Sequence, residues 1–439
     1  MSRRNEVLKN FDENEEYTTE RINSGIELNR KGTAKIKLVD KNNKPVSGAK
    51  IKVVLKKHEF KYGANIFMLD GLETDEKNEK YKKYFGDTFN MATLPFYWED
   101  LEPEKGKTRY EKDSPYIYRR PSPDTCIEFC EKYGIEPREH ALAYEHFFPE
   151  WLRDKDVFTI KKELSRRYAE IAERYADKIP TMEVTNEMFW EKGKTSFYEE
   201  SDYVEWCFKE AEKHFPSNKL VINEWMGLWS DRGRNRDWYY TQIERELNKG
   251  VRIDAVGFQY HMFFKKETEA ISTQKCYDPR HIYKILDRYS DFNLPIQITE
   301  VTIPAYSQSE EDEAVQAEII EKLYSIWFSH PNVEQIIYWN LVDGYAAFAP
   351  QGDMTSGENY YYGGLLRFDL TPKPAYYTIK NLFEKKWHTE ETIETNADGE
   401  VDFKGFFGEY DVEINVDGKT VNKNINFMKK GYNDFTVEL

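Results

Sequence analysis

The stretch TIKKELSRRYAEIAERYADKIPTMEVTNE, residues 159–187, joins two patterns that decide the fold. Its first twenty residues have the 3.6-residue period of an amphipathic helix, and its end is a short apolar, β-branched run that stops at Asn186 and Glu187. A bare amide and a bare carboxylate rarely close a buried strand without a partner or a task. The same alternation of helix and short strand recurs between residues 58 and 388. Strand-like runs include IEPREHALAY, KLVINEW, IDAVGFQYH, LPIQITEV and EQIIYWNLVD, with helical stretches such as YVEWCFKEAEKHF and RDWYYTQIERELNK between them. This repetition in about 330 residues predicts an α/β fold, a closed (β/α)8 TIM barrel with a parallel sheet.

The flanks read differently. Residues 1–23 are charged and read as helical or loose. Residues 24–57 hold two alternating runs, TAKIKLVD and AKIKVVLKK, around the turn formers of KNNKPVSG, which predicts a β-hairpin. Residues 389–439 alternate again, with ADG and VDG as turn signals. A tail this short is small for independent stability, so the expectation is a small accessory β-sandwich-like region built from the N- and C-terminal segments.

Composition narrows the function. A formal charge of −16 with no long Lys/Arg block disfavours nucleic acid and anionic membranes as partners and favours a neutral substrate, such as a polysaccharide or oligosaccharide. Aromatic residues make up 15% of the chain, which suits flat platforms for a ligand as well as a large core. Of the 4 Cys, Cys126 and Cys130 lie one helical turn apart without a matching His/Cys pair, and read as buried thiols. No 18-residue apolar window and no signal-peptide h-region occur, so the chain as written reads as soluble and cytoplasmic, or as secreted if a leader has been removed.

In a parallel barrel the chemistry sits at the C-terminal strand ends. Those ends carry His140 (third strand), Asn186 and Glu187 (fourth), Asn223 and Glu224 (fifth), Gln259 and His261 (sixth), Glu300 (seventh), and Trp339 and Asp343 (eighth). Carboxylates, amides and an indole on one face match what glycosidic cleavage requires: a proton donor, a nucleophile or base, hydroxyl anchors and a sugar platform. GxGxxG, Walker, HExxH and His-x-His sequences are absent, and no cofactor or metal is expected; a metal-dependent hydrolase is the alternative that chelators would expose.

EVTNE, INEW, IDAVGFQYH, IQITEVTI, IIYWNLVDGY and GGLLRFDLTPKPAYYTI occur in the order of the corresponding segments of glycoside hydrolase family 10, the retaining β-1,4-xylanases, and the chain resembles that family over roughly residues 58–385. The resemblance implies Glu187 as general acid/base and Glu300 as nucleophile, about 5–5.5 Å apart, with Glu187 holding the shared proton. It further implies Asn186 on the 2-hydroxyl of the sugar being cleaved, His261 against the nucleophile, Gln259 and His140 on hydroxyls, Trp339 as platform, and Glu224 as a support for the histidine. Asp343 could equally bond a loop backbone.

The departures lie on the glycone side. FNMATLPFYWEDLEPEKG has Leu94, Pro95, Phe96 and Tyr97 where the family carries Glu, Asn and Lys. REHALAYEH keeps His140 but has Glu139 for Gly, Tyr144 for Trp and Glu145 for His, which makes Tyr144 a further substrate-binding candidate. The insertion SPYIYRRPSP brings Tyr116, Tyr118, Arg119 and Arg120, which read either as a solvated loop or as a site for an acidic sugar substituent. The expected activity is therefore hydrolysis of xylan or xylo-oligosaccharides. The alternatives are the same chemistry on another β-linked or acid-decorated glycan, or a carbohydrate-binding barrel without activity.

Overall fold

A computed structural model describes residues 2–230, 233 and 236–439. By contacts the chain divides into two units. One holds the residues up to Asn14 with Tyr62–Ile320 and Asn332–Tyr376; the other holds Glu15–Lys61, Glu321–Pro331 and Tyr377–Leu439. The charged N-terminus is helical, in three pieces, Arg3–Val7, Lys9–Glu13 and Glu15–Asn29.

Strands β1 (Lys31–Val39) and β2 (Lys50–His58) follow. Then come β3 (Lys61–Asn65), β4 (Met91–Pro95), β5 (Glu136–His140), β6 (Thr181–Asn186), β7 (Lys219–Glu224), β8 (Ala255–His261), β9 (Ile296–Thr302) and β10 (Val333–Tyr338). These eight strands close into a barrel in the order β10-β3-β4-β5-β6-β7-β8-β9. Every residue of β6 and β9 is buried, as expected for parallel strands covered on both faces.

The opening stretch shows why the helices cover the barrel. Asp156 caps the helix Val157–Tyr175 by accepting from the Thr159 amide at 3.0 Å. Ile160, Leu164, Tyr168, Ile171 and Tyr175 form its buried stripe, and each aliphatic member contributes about 1.5–3 kcal/mol by leaving water. The register shifts between Glu183 and Thr185 in β6, and between Phe258 and Gln259 where β8 meets β9. Such bulges re-aim side chains, and here they fall just before Asn186–Glu187 and at Gln259.

After the barrel come β11 (Glu390–Glu394), β12 (Glu400–Phe406), β13 (Gly408–Val416), β14 (Lys419–Phe427) and β15 (Asp434–Glu438). They build two sheets with the N-terminal strands, β12-β1-β15 and β11-β2-β13-β14. Phe403 of the first sheet meets Tyr410 and Phe427 of the second at 5.3 and 5.6 Å between ring centroids. The predicted hairpin is corrected: β1 and β2 lie in different sheets, because each takes its ladder partners from the C-terminal tail. The true hairpin is β13–β14, where Asp417 and Gly418 both take positive φ, as a two-residue primed turn requires.

Candidate active site

A cleft of about 820 Å³ opens at the C-terminal ends of the barrel strands, and Glu187 and Glu300 both line it. Glu187 is the first residue past β6 and has φ 53°, a left-handed conformation that costs a non-glycine residue on the order of 1 kcal/mol. Its amide donates to the Asn223 carbonyl at 3.2 Å. The side chain is held from three directions: Gln259 donates to Oε1 at 2.9 Å, while Tyr144 and the Trp190 indole donate to Oε2 at 2.7 and 3.1 Å.

Glu300, near the end of β9, is more deeply buried. Asn223 Nδ2 donates to its Oε1 at 3.1 Å, and His261 Nε2 lies 3.1 Å from Oε2. His261 Nδ1 contacts the Thr302 hydroxyl at 2.9 Å. Burial pushes the His261 imidazole down to about 4, so it is neutral at pH 7. With Glu300 ionised, the tautomer that satisfies both contacts carries Nε2–H, with Nδ1 accepting from Thr302.

Burial also pushes the Glu300 carboxyl up to about 8; the charges of Glu183 and Glu187 add to the effect and His140 and Arg138 oppose it. Glu300 is 3% exposed, whereas Glu187 meets the open cleft, so desolvation favours the neutral form at Glu300.

A buried polar floor supports the pair. Glu183 forms a fully buried ion pair with Arg138, and its Oε1 lies 2.8 Å from His140 Nδ1. Despite the burial, Arg138 foremost and then His140 hold Glu183 below the usual carboxylate range. His140 Nε2 faces the Tyr97 hydroxyl at 3.0 Å. Asn223 is the hub: its Nδ2 reaches Glu183 Oε1 at 3.2 Å and Asn186 Oδ1 at 3.0 Å as well as Glu300, and its Oδ1 accepts from Thr299 at 2.7 Å. Gln259 also reaches Asn186 Oδ1, at 3.3 Å. Gly257 makes room for this hub, since a Cβ there would fall 2.4 Å from Asn223 Oδ1.

His140, Glu183 and Glu300 each offer a donor atom within 4.8 Å of the others, the spacing of a metal site. The donor set does not fit one. Glu183 is already neutralised by a buried guanidinium that would repel a cation, and both His140 nitrogens have partners.

Trp339 lines the cleft and meets Phe67, His140 and His261 edge-on at 5.3, 5.4 and 5.8 Å. Glu224 corrects the expectation that it supports the histidine. Its oxygens accept from the Met188 and Trp225 amides at 2.7 and 3.1 Å, so it fixes the backbone that follows Glu187. Asp343 forms a fully buried ion pair with Lys373 at 2.6 Å and accepts from the Gly364 amide at 2.8 Å, which ties down the segment that follows β10. Arg138, Glu183 and Trp190 escaped the sequence reading. The signal for the first two was a charged residue inside each of two neighbouring strands, in PREH and MEVTN.

The chain matches the family model of Glycosyl hydrolase family 10 over residues 54–382. It is 28% identical to the anti-sigma-I factor RsgI6 of Acetivibrio thermocellus over 409 residues, 91% of this chain and 47% of that protein. It is 24% identical to endo-1,4-beta-xylanase 2 of Arabidopsis thaliana over 380 residues, 84% of this chain and 31% of that protein. The chain thus spans half the length or less of these two relatives. Endo-1,4-beta-xylanase B of Thermotoga neapolitana is 24% identical over 326 residues, 70% of this chain and 84% of that protein. Among solved structures, xylanase 10B from Thermotoga petrophila in complex with xylobiose superposes with a TM-score of 0.59 at 22% identity, covering 75% of this chain and 95% of that one, a likeness of fold.

Proposed function

The chain belongs to glycosyl hydrolase family 10, whose model covers residues 54–382 of 439, and from that premise we propose that it is a retaining hydrolase of β-1,4-xylosidic bonds in xylan or xylo-oligosaccharides. The observation that carries the reading is a pair of glutamates lining one cleft and held by separate neutral donors, Glu187 by Gln259 and Tyr144, Glu300 by Asn223 and His261. In the productive state Glu187 carries the proton and gives it to the glycosidic oxygen as Glu300 attacks the anomeric carbon, forming a glycosyl-enzyme and releasing the aglycone. Glu187 then takes a proton from water, which attacks the anomeric carbon and frees Glu300. Asn186, beside Glu187, takes the sugar 2-hydroxyl, and Trp339 offers the platform. Relatives named as endo-1,4-beta-xylanases support xylan as substrate.

A second reading, glycan binding without turnover, draws on the relative named as an anti-sigma factor. Retention of both glutamates argues against it, since a binder needs no matched pair. The deciding experiment is product analysis on linear xylan, glucuronoxylan, xylo-oligosaccharides, β-glucan and mannan. Xylan cleavage that is lost in Glu300→Ala and restored by azide as an inverted product supports the hydrolase. A folded wild-type protein that binds xylan and cleaves nothing sinks it.

A further inference from the structure

The SPYIYRRPSP segment that carries Arg119 and Arg120 is a built part of the cleft. Arg109 clamps it by donating through Nε to the Pro115 carbonyl at 2.8 Å, through Nη1 to the Asp100 carbonyl at 2.9 Å and through Nη2 to the Arg120 carbonyl at 3.3 Å. Arg119 takes φ 62°, a strained conformation for an arginine, and consecutive guanidinium groups thereby line one wall of the cleft. Both lie over the Phe67 ring at 5.6 Å, and Arg120 also lies 4.1 Å from the Tyr97 centroid.

The two arginines differ in charge balance. Arg120 donates through Nε to Asp100 at 2.6 Å. Arg119, 6% exposed, bonds through Nη1 to two neutral acceptors, Asn340 Oδ1 at 3.1 Å and the Tyr345 carbonyl. Among the described residues no carboxylate pairs with it, and Glu358 acts on it only at longer range. A buried guanidinium without a counter-charge is costly, and an anion in the cleft offsets that cost. Tyr97, which adjoins this wall, is hydrogen-bonded to His140 and meets Tyr144, whose hydroxyl is on Glu187. The positive wall therefore stands within a short chain of contacts of the acid/base, where the polar anchors for a neutral sugar are replaced by apolar and aromatic residues.

We propose that Arg119 and Arg120 form a carboxylate subsite, so that the preferred substrate is a xylan chain bearing a uronic acid on the glycone side of the scissile bond. The inference rests on the reading of this cleft as a xylan-cleaving site. Arg119 supplies the uncompensated charge and Arg120 a second planar donor, and the buried Phe67 and Tyr97 rings beneath them hold the two guanidinium groups in place.

The test compares kcat/KM on a glucuronic acid-substituted xylo-oligosaccharide with that on the same compound after reduction of the uronate to glucose, in the wild type, Arg119→Met and Arg120→Met. The ratio within each protein controls for any loss of folded enzyme. The proposal expects the wild type to prefer the acid about tenfold or more, a preference that falls towards one in either variant and at high salt. A wild-type ratio near one overturns it, as does a preference that survives both substitutions. If neither compound is cleaved, the hydrolase reading fails instead, and calorimetric binding of the same two compounds decides the subsite. Tighter binding of the acid, lost in the variants, supports it; equal binding overturns it.

Discussion

His261 lies 3.1 Å from Glu300 through Nε2 yet is held neutral, so it steers the carboxylate without lending it charge. The consequence is a proton that leaves late. Because burial pushes Glu300 up to about 8, the two glutamates together keep one proton through neutrality. The expected kcat/KM profile holds its plateau through neutrality and falls near pH 8 as that last proton leaves. An alkaline limb at pH 5–6 would contradict the environment described for Glu300.

The same shift bears on stability. A carboxyl raised from 4.5 to about 8 stabilises the fold fully below 4.5, and that contribution is lost as pH rises through 8. Thermal melts from pH 5 to 9 should therefore show wild-type Tm falling more steeply than that of Glu300→Gln, whose amide does not titrate. Parallel curves would remove Glu300 from the pH dependence.

Tyr144→Phe deletes the hydroxyl that donates to Glu187 at 2.7 Å and leaves the ring contacts with Tyr97 and Phe147 in place. A hydrogen bond to a charged group is worth about 1.5–3 kcal/mol, so kcat should fall about tenfold or more on substrates with poor leaving groups. Aryl glycosides with good leaving groups, which need little protonation, should lose less. Equal losses on both would place Tyr144 outside the proton-transfer step.

Gly257→Ala drives a Cβ to within 2.4 Å of Asn223 Oδ1. Asn223 must move, and with it the donor to Glu300, so activity should fall sharply alongside a stability loss of about 1–3 kcal/mol. A crystal structure of the variant with Asn223 unmoved and full activity retained would refute the role assigned to that hub.

Asp343→Ala strands Lys373 in a buried site and should destabilise the protein by about 3–5 kcal/mol in denaturant titration. Its effect belongs to folding, so kcat per folded molecule should change far less than the yield. A stable but inactive variant would instead put Asp343 in the reaction.

The barrel was legible because helix and strand periods alternate from IEPREHALAY onward, and because Asn186, Glu187, Gln259, His261 and Glu300 fall at predicted strand ends. Pairings across long sequence separation were not legible. Nothing local in TAKIKLVD says that its partners are residues 400–406 and 434–438, and the turn-rich KNNKPVSG suggested the nearer partner. The raised Glu300 carboxyl was hidden for a related reason. It depends on how deeply a strand end sits among Glu183, Arg138 and Asn223, a matter of burial that spacing does not encode.

Because β1 takes partners from β12 and β15, and β2 from β11 and β13, two N-terminal strands are born long before the residues they bond. At about 5–20 residues per second, a ribosome needs on the order of tens of seconds to pass from β2 to β11, while the barrel between them can already fold. Throughout that interval the nascent chain carries two β-rich segments with unmet amides and carbonyls, a template for pairing with neighbouring chains. Residues 390–438 thus meet those strands last, and a chain stalled before them should aggregate more readily than one that carries them.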